Sequence, residues 1–274
     1  MDTSSIMALA LRMAGLEELP GDSAILHPGD GIRRVLIGID IAAAELHLAH
    51  AKGYDAVIAH HPPGGASTLS FHRVLERHVT QMVGTGVPEE VARCAVAPLV
   101  ETHRVRASMT NYDHVPSVAR LLDLPFLNIH TPLDEIGRRR IAEAVAELPS
   151  ESLRQRLVDH LYERFAEFRA ASTRIEVRIG RAEDPMGRVA VSHAAGTNGG
   201  YPIAKTYFEH GVDTVVYIHC APDASDRLAA EAAPEKGLVV TGHIASDSVG
   251  ITPFVAALRE AGLRVDVISG ILGL

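Results

Sequence analysis

Short apolar runs of strand length recur along the chain, separated by segments with helical spacing and punctuated by glycine and proline. Val35 to Ile41 reads as a strand, Ala42 to Lys52 as a helix stopped by Gly53, and Ala56 to Ala59 as the next strand. The last of these is continuously apolar, as a strand buried on both faces should be. Together they make one βαβ unit, with a parallel pair and a right-handed crossover. Asp2 to Ser5 precede an amphipathic helix whose apolar positions (Ile6, Met7, Leu9, Ala10, Met13) offer a face to a neighbouring chain. Helices are expected over 69–83 and 88–97, the second with Pro88 at its first turn and Glu89 and Glu90 at its positive end. A short helix at 117–122 and a strand from Phe126 to Ile129 follow. Residues 135–170, rich in Arg and Glu and broken at Leu148-Pro149-Ser150, read as surface helices bridging two halves.

The second half alternates more cleanly. Strands are expected at 174–179, 188–193, 213–219, 238–241 and 263–268, with helices near 202–210, 224–232 and 252–261. The last helix has Thr252 as N-cap, Pro253 at its first position and Gly262 at its end. Strand and helix in turn make an α/β protein with mixed, mostly parallel sheets flanked by helices. No short-period repeat emerges. Both halves carry strands ending in histidine (His60, His193, His219, His243), which suggests two similar lobes, placed at 1–145 and 146–274.

Composition narrows the partners. At 274 residues, 47% hydrophobic, the chain is long enough for a substantial core. A net charge of −8 and the absence of Trp argue against a nucleic-acid groove, which needs a basic face and stacking platforms. The apolar stretches fall short of the roughly 20 residues of a membrane helix, and the N-terminus lacks the basic flank of a signal peptide. No membrane partner is expected. Two cysteines, Cys94 and Cys220, cannot build a disulfide framework, so a cytoplasmic location is expected. Fifteen histidines in an acidic chain direct attention to metal.

Three motifs carry that chemistry. His60-His61-Pro62-Pro63 ends the strand Ala56 to Ala59, and the prolines stop the strand by removing two backbone donors. His130-Thr131-Pro132-Leu133-Asp134 follows the strand at 126–129, and Gly242-His243-Ile244-Ala245-Ser246-Asp247 follows the strand at 238–241. Imidazole nitrogens and carboxylate oxygens are what divalent transition metals prefer, and carboxylates can bridge a pair of ions about 3.5–4 Å apart. Each motif also has a plain structural reading: Asp134 and Asp247 as helix or turn caps, His243 as a hydrogen-bonded core residue. The turn Gly196 to Gly200 lacks a phosphate-loop signature and reads as a tight turn. His219 ends another strand, while His47 and His50 suit a solvated helix face.

In this order the three motifs resemble those of the Nif-three-like dinuclear metal-centre family, whose members carry the description GTP cyclohydrolase I type 2-like. The resemblance spans Val35 to Gly270. It implies a two-lobed α/β protomer with two metal ions at the lobe interface (zinc, iron or manganese), assembled into a ring-shaped homohexamer. The ligands it implies are His60, His61, Asp134, His243 and Asp247. The family usually has Glu where this chain has Asp247. Its middle motif usually reads His-Thr-Asn-x-Asp, which also matches Thr110-Asn111-Tyr112-Asp113 except that Met109 replaces the His. A subgroup with His-Thr-Pro-x-Asp and a final Ser-Asp-Ser fits Asp134 and Ser246-Asp247-Ser248 better, so Asp134 is preferred and Asp113 is the alternative. The function implied is metal-dependent hydrolysis of a small molecule, a nucleotide, cyclic amidine or phosphoester, with His130 and His219 as candidate catalytic residues. The competing reading is a metal-binding regulatory or chaperone protein without turnover.

Overall fold

The computed structural model describes residues 1–272. Its strands are β1 (Ala24–His27), β2 (Arg34–Gly38), β3 (Ala56–Ala59), β4 (Phe126–Asn128), β5 (Glu176–Ile179), β6 (Val189–Val191), β7 (Thr214–Tyr217), β8 (Gly237–Val240) and β9 (Arg264–Ile268). The helices of the first half are α1 (Thr3–Ala14), α2 (Ala43–Ala51), α3 (Gly65–Leu69), α4 (Arg77–Gly84), α5 (Glu89–Ala107), α6 (His114–Leu121) and α7 (Thr131–Ala146). Those of the second are α8 (Arg154–Arg164), α9 (Ala166–Ala170), α10 (Gly200–Glu209), α11 (Pro222–Glu231) and α12 (His243–Glu260). A 3₁₀ segment, Phe71–Glu76, joins α3 to α4, so the single helix expected over 69–83 is broken. The helix expected to end at 97 runs on to Ala107.

The strands form two sheets, in the orders β1-β4-β3-β2-β9 and β5-β8-β7-β6. Through their first four strands the sheets repeat one another. Each has an antiparallel edge strand, β1 on β4 and β5 on β8, followed by parallel neighbours. The central strands β3, β4 and β7 are buried throughout; β3 is wholly apolar, and the polar residues of the other two, Asn128 and Thr214, donate to the Asp22 and Met186 carbonyls. Because the parallel strands of a sheet end at one edge, the residues after β2, β3 and β4 emerge together, and so do those after β6, β7 and β8.

The two-lobed α/β architecture is therefore present, with interleaved coverings. Strand β9 returns from the second half to pair with β2 in the first sheet. Helices α4 and α5, from the first half, pack Val79, Met82, Ala92 and Val96 against Ile203, Tyr207 and Val215 of the second lobe. A division at 145/146 thus separates the two four-strand repeats but not the elements that cover them.

Two expectations about burial are corrected here. The apolar face of α1 is not left for a neighbour: Ile6, Met7 and Ala10 are buried with Ile37, Ile58 and Phe254, and Leu9 and Met13 pack against the same core. Helix α7 is not a surface bridge, since Thr131 to Gly137 are all buried. It lies against α12, where glycines meet: a Cβ on Gly250 would stand 2.0 Å from the Leu133 carbonyl oxygen, and one on Gly137 3.2 Å from the Gly250 nitrogen.

The last helix begins at His243, nine residues before the Thr252-Pro253 start that the capping signals suggested. Pro253 sits inside it and cannot donate to the Val249 carbonyl. That carbonyl instead accepts from the Arg140 guanidinium of α7, and Thr252 donates its hydroxyl to Glu167 (2.5 Å) rather than capping a helix. An Arg140→Ala variant should lose about 1–3 kcal/mol in chemical denaturation, the cost of leaving a buried acceptor unmet. Wild-type stability in that variant would show that the carbonyl needs no partner.

Candidate metal centre

The two lobes bring equivalent strand ends face to face. His60 and His61 follow β3, His130 follows β4 and opens α7, and His243 follows β8 and opens α12. The acids lie four residues into each helix-forming motif, one turn from the histidine, where the positive helix end favours a carboxylate. His130 to Gly137 and His243 to Gly250 share the pattern His-x-x-x-Asp-x-x-Gly. The glycines at the end of this pattern are the two that touch where α7 crosses α12. Close helix packing and the convergence of Asp134 on Asp247 therefore have one cause.

Distances at the centre would allow its atoms to share an ion. Two ligand atoms each about 2.0–2.1 Å from one ion stand about 3.3 Å apart at a tetrahedral angle. Asp134 Oδ1 is 3.2 Å from His60 Nε2, and Asp134 Oδ2 is 3.6 Å from His130 Nε2. Asp247 Oδ2 is 3.4 Å from His243 Nε2, 3.5 Å from His61 Nε2 and 3.8 Å from His60 Nε2. Three groupings that could each hold an ion result: His60 with His61 and His130, His61 with His243 and Asp247, and His60 with Asp134 and Asp247.

The tautomers suit the same purpose. His60 Nδ1 donates to the Ile129 carbonyl (3.1 Å), His61 Nδ1 to Asp40 (2.8 Å) and His130 Nδ1 to Asp22 (2.7 Å). Each bond places the ring proton on Nδ1 and leaves the Nε2 lone pair facing the centre. Asp22 also accepts from the Thr131 hydroxyl (2.7 Å), which fixes the carboxylate that orients His130.

Several buried polar atoms here make no hydrogen bond. His60 Nε2, Asp134 Oδ1, His193 Nε2 and Asp247 Oδ2 are all buried without a hydrogen bond. Such groups are costly unless something compensates them, and a cation held among them would. Burial raises the Asp134 pKa, but His193, His130 and His60 outweigh it and hold the carboxyl well below its usual range. Asp247 is likewise lowered, with His61 and His60 outweighing burial. At His130 burial opposes the charged ring, yet Asp134 and Asp22 raise its pKa to about 9, so without an ion Nε2 carries a proton that a bound cation would displace. The donor set and the unpartnered atoms fit divalent transition metal.

All seven residues singled out from the sequence can now be placed. His60, His61, His130, Asp134, His243 and Asp247 converge. His219 lies at the edge, its ring 4.6 Å from that of His243, with Nε2 accepting from the Asn198 amide (3.1 Å). Burial and His243 push its pKa down to about 4, so it is neutral at neutral pH. Asp113 is exposed and pairs with Arg120 (2.7 Å). It occupies the N-cap position of α6 without its side chain capping the helix. His47 and His50 are exposed on α2. Reading the motifs alone missed Asp22, Asp40 and Asn198; the first two stand in unremarkable loops, with only their carboxylate chemistry as a signal. A cavity of about 670 Å³, lined by Arg77, Glu135, Arg138 and Tyr207 among others, includes none of the clustered histidines.

Near this centre His78 of α4 is fully buried, and neither ring nitrogen has a hydrogen-bond partner. Burial lowers its pKa to about 4. The unfolded chain therefore binds the proton more readily. Stability from keeping His78 neutral is fully present above about pH 6.5 and is lost as pH falls toward 4, by about 3 kcal/mol at most. Denaturation of His78→Gln across pH 4–7 should show a flatter acid limb than wild type; parallel limbs would contradict this assignment.

Fold and site together define a two-lobed α/β protein with a candidate metal centre at the lobe interface. Comparison with solved structures gives the family. The chain is 50% identical to a NIF3 superfamily protein from Sphaerobacter thermophilus, with a TM-score of 0.94 over 98% of both chains. It therefore belongs to the NIF3 superfamily. Reduced HcgD from Methanocaldococcus jannaschii shares the fold at 14% identity, with a TM-score of 0.57 over 97% of each chain. A Bacillus cereus protein related to NIF3 does so at 12%, with a TM-score of 0.52 over 98% of this chain and 96% of that one. Neither the family models nor the curated protein sequences contain a match to this chain.

Proposed function

We propose that this chain is a dinuclear metal-dependent hydrolase whose two ions are held by His60, His61, His130, Asp134, His243 and Asp247. The observation that carries the reading is the convergence of unpartnered buried atoms at ligand separations. Divalent ions there would supply Lewis acidity toward a carbonyl or phosphoryl oxygen and a nucleophile formed from water near neutral pH. The chain's own residues orient this chemistry. Asp22, Asp40 and the Ile129 carbonyl fix three imidazoles, so His130 is assigned a ligand role instead of the catalytic one first considered. His219, neutral and steadied by Asn198, carries its proton on Nδ1 beside the cavity between the lobes and remains the candidate for proton transfer.

The substrate class is a small nucleotide, cyclic amidine or phosphoester, and a panel of these tests the reading. Metal-loaded wild type should turn over at least one member, and His243→Ala should not. Stable metal binding with no turnover across the panel would favour the regulatory or metal-chaperone alternative. We also propose a homo-oligomer, a hexamer by family resemblance. With the α1 face consumed inside the protomer, the support moves to the exposed apolar side chains Met109 and Leu121, 79% and 85% accessible, beside α5 and on α6. Light scattering should give a mass several times that of one chain; a monomer at micromolar concentration would refute it.

A further inference from the structure

We infer, granting the metal-binding reading above, that His193 is a further protein ligand of the centre, contributed by the second lobe. It lies two residues beyond β6. Ser192 holds the segment onto β7 through its N–H to the Val216 carbonyl (3.1 Å), and the His193 side chain then enters the gap between the lobes. The residue is buried and its Nε2 has no hydrogen-bond partner. That nitrogen stands 3.6 Å from Asp134 Oδ1, the same separation that His130 Nε2 keeps from Asp134 Oδ2. His78 shows that a buried imidazole can go unpaired, but the His193 nitrogen differs in facing a buried carboxylate, Asp134.

The backbone after it is held in an unusual conformation. Ala194 is buried and adopts φ 60°, a left-handed geometry that disfavours any residue with a Cβ. Two side chains of α4 clamp this turn. Arg77 Nε donates to the Ala194 carbonyl (2.7 Å), and the Gln81 amide donates to the His193 carbonyl. Strain held in place by its surroundings marks a position whose geometry matters. Here it fixes where the imidazole points.

The repeat of the two lobes supports the same assignment. His193 lies two residues past β6 as Asp40 lies two past β2, and Asp40 already serves the centre by accepting from His61. His219 is two past β7 as His61 is two past β3, but its Nε2 is taken by Asn198. Of these two second-lobe imidazoles, His193 is the one with Nε2 unengaged. A cavity of about 30 Å³, the size of one ion or water, is lined by His193 together with Asp134, His243 and Asp247.

The test compares wild type, His193→Ala and His193→Gln, each checked for folding by circular dichroism, loaded with Co²⁺ and titrated against a chelator. Two ions in wild type, with one bound at least about tenfold more weakly in both variants and an altered Co²⁺ visible spectrum, would support ligation. Wild-type affinity in both variants would overturn it. So would weakened binding with an unchanged spectrum, which would make His193 a residue that positions Asp134. Failure of wild type to bind any ion would instead remove the underlying metal reading, and this assignment with it.

Discussion

Asp134→Asn is expected to lower the metal content by at least one ion per chain after dialysis, while Asp113→Asn leaves it at the wild-type value. Both acids match a Thr-containing motif ahead of a helix, but their surroundings differ completely. Asp134 is buried, with both carboxylate oxygens facing imidazole nitrogens of His60, His130 and His193 at 3.2–3.6 Å. Replacing one oxygen by an amide NH₂ removes a negative charge and turns a donor of electrons toward the ion into a group that repels it. Asp113 is exposed and engaged with Arg120, an interaction worth about 0–1 kcal/mol at such a surface. Metal analysis of the two variants side by side decides the matter. Loss of metal from Asp113→Asn with retention in Asp134→Asn would reverse the ligand assignment.

Gly250→Ala should be the most destabilising of the small substitutions at the lobe interface. Its Cβ would meet the Leu133 carbonyl at 2.0 Å and the Gly137 nitrogen at 3.0 Å, both backbone atoms that cannot rotate away. Overpacking a core typically costs about 1–3 kcal/mol, and a clash between two helix backbones belongs at or above the top of that range. Gly84→Ala is the matched control. Gly84 also lies in a helix but meets nothing within 4 Å, so that change should be neutral or stabilising by up to about 1 kcal/mol. Separating α7 from α12 also moves Asp134 away from Asp247, so Gly250→Ala should lose metal affinity as well. Stability within about 1 kcal/mol of wild type would show that the crossing tolerates a methyl group.

Much of this arrangement was legible in the chain. A continuous apolar run located β3, which is buried on both faces, while β5 and β9, exposed at alternate positions, showed as alternating apolar and polar residues. The His-His-Pro-Pro and His-x-x-x-Asp motifs pointed to the centre, because strand ends of an open α/β sheet converge there. Other features were obscured for physical reasons. Thr252-Pro253 imitates a helix start, and only a long-range partner, Arg140, lets the helix run through the proline. Helix α7 looked like a surface element because Arg138, Arg139 and Arg140 stand among its residues. Arg138 is neutralised by Glu135, and the other two reach backbone carbonyls of Met13 and Val249. Strand β1, only four residues long, carries little pattern of its own. The internal repeat of His-x-x-x-Asp-x-x-Gly was present at a spacing of over a hundred residues, and its glycines acquired meaning only when α7 and α12 were seen to touch.

The central claim is that the lobe interface holds two divalent ions, and anomalous diffraction from crystals of the purified protein tests it most directly. Two peaks per chain are expected, each within about 2.0–2.3 Å of imidazole or carboxylate atoms drawn from His60, His61, His130, Asp134, His243 and Asp247. Absence of any peak among these side chains, in protein loaded with zinc, iron or manganese, would contradict it.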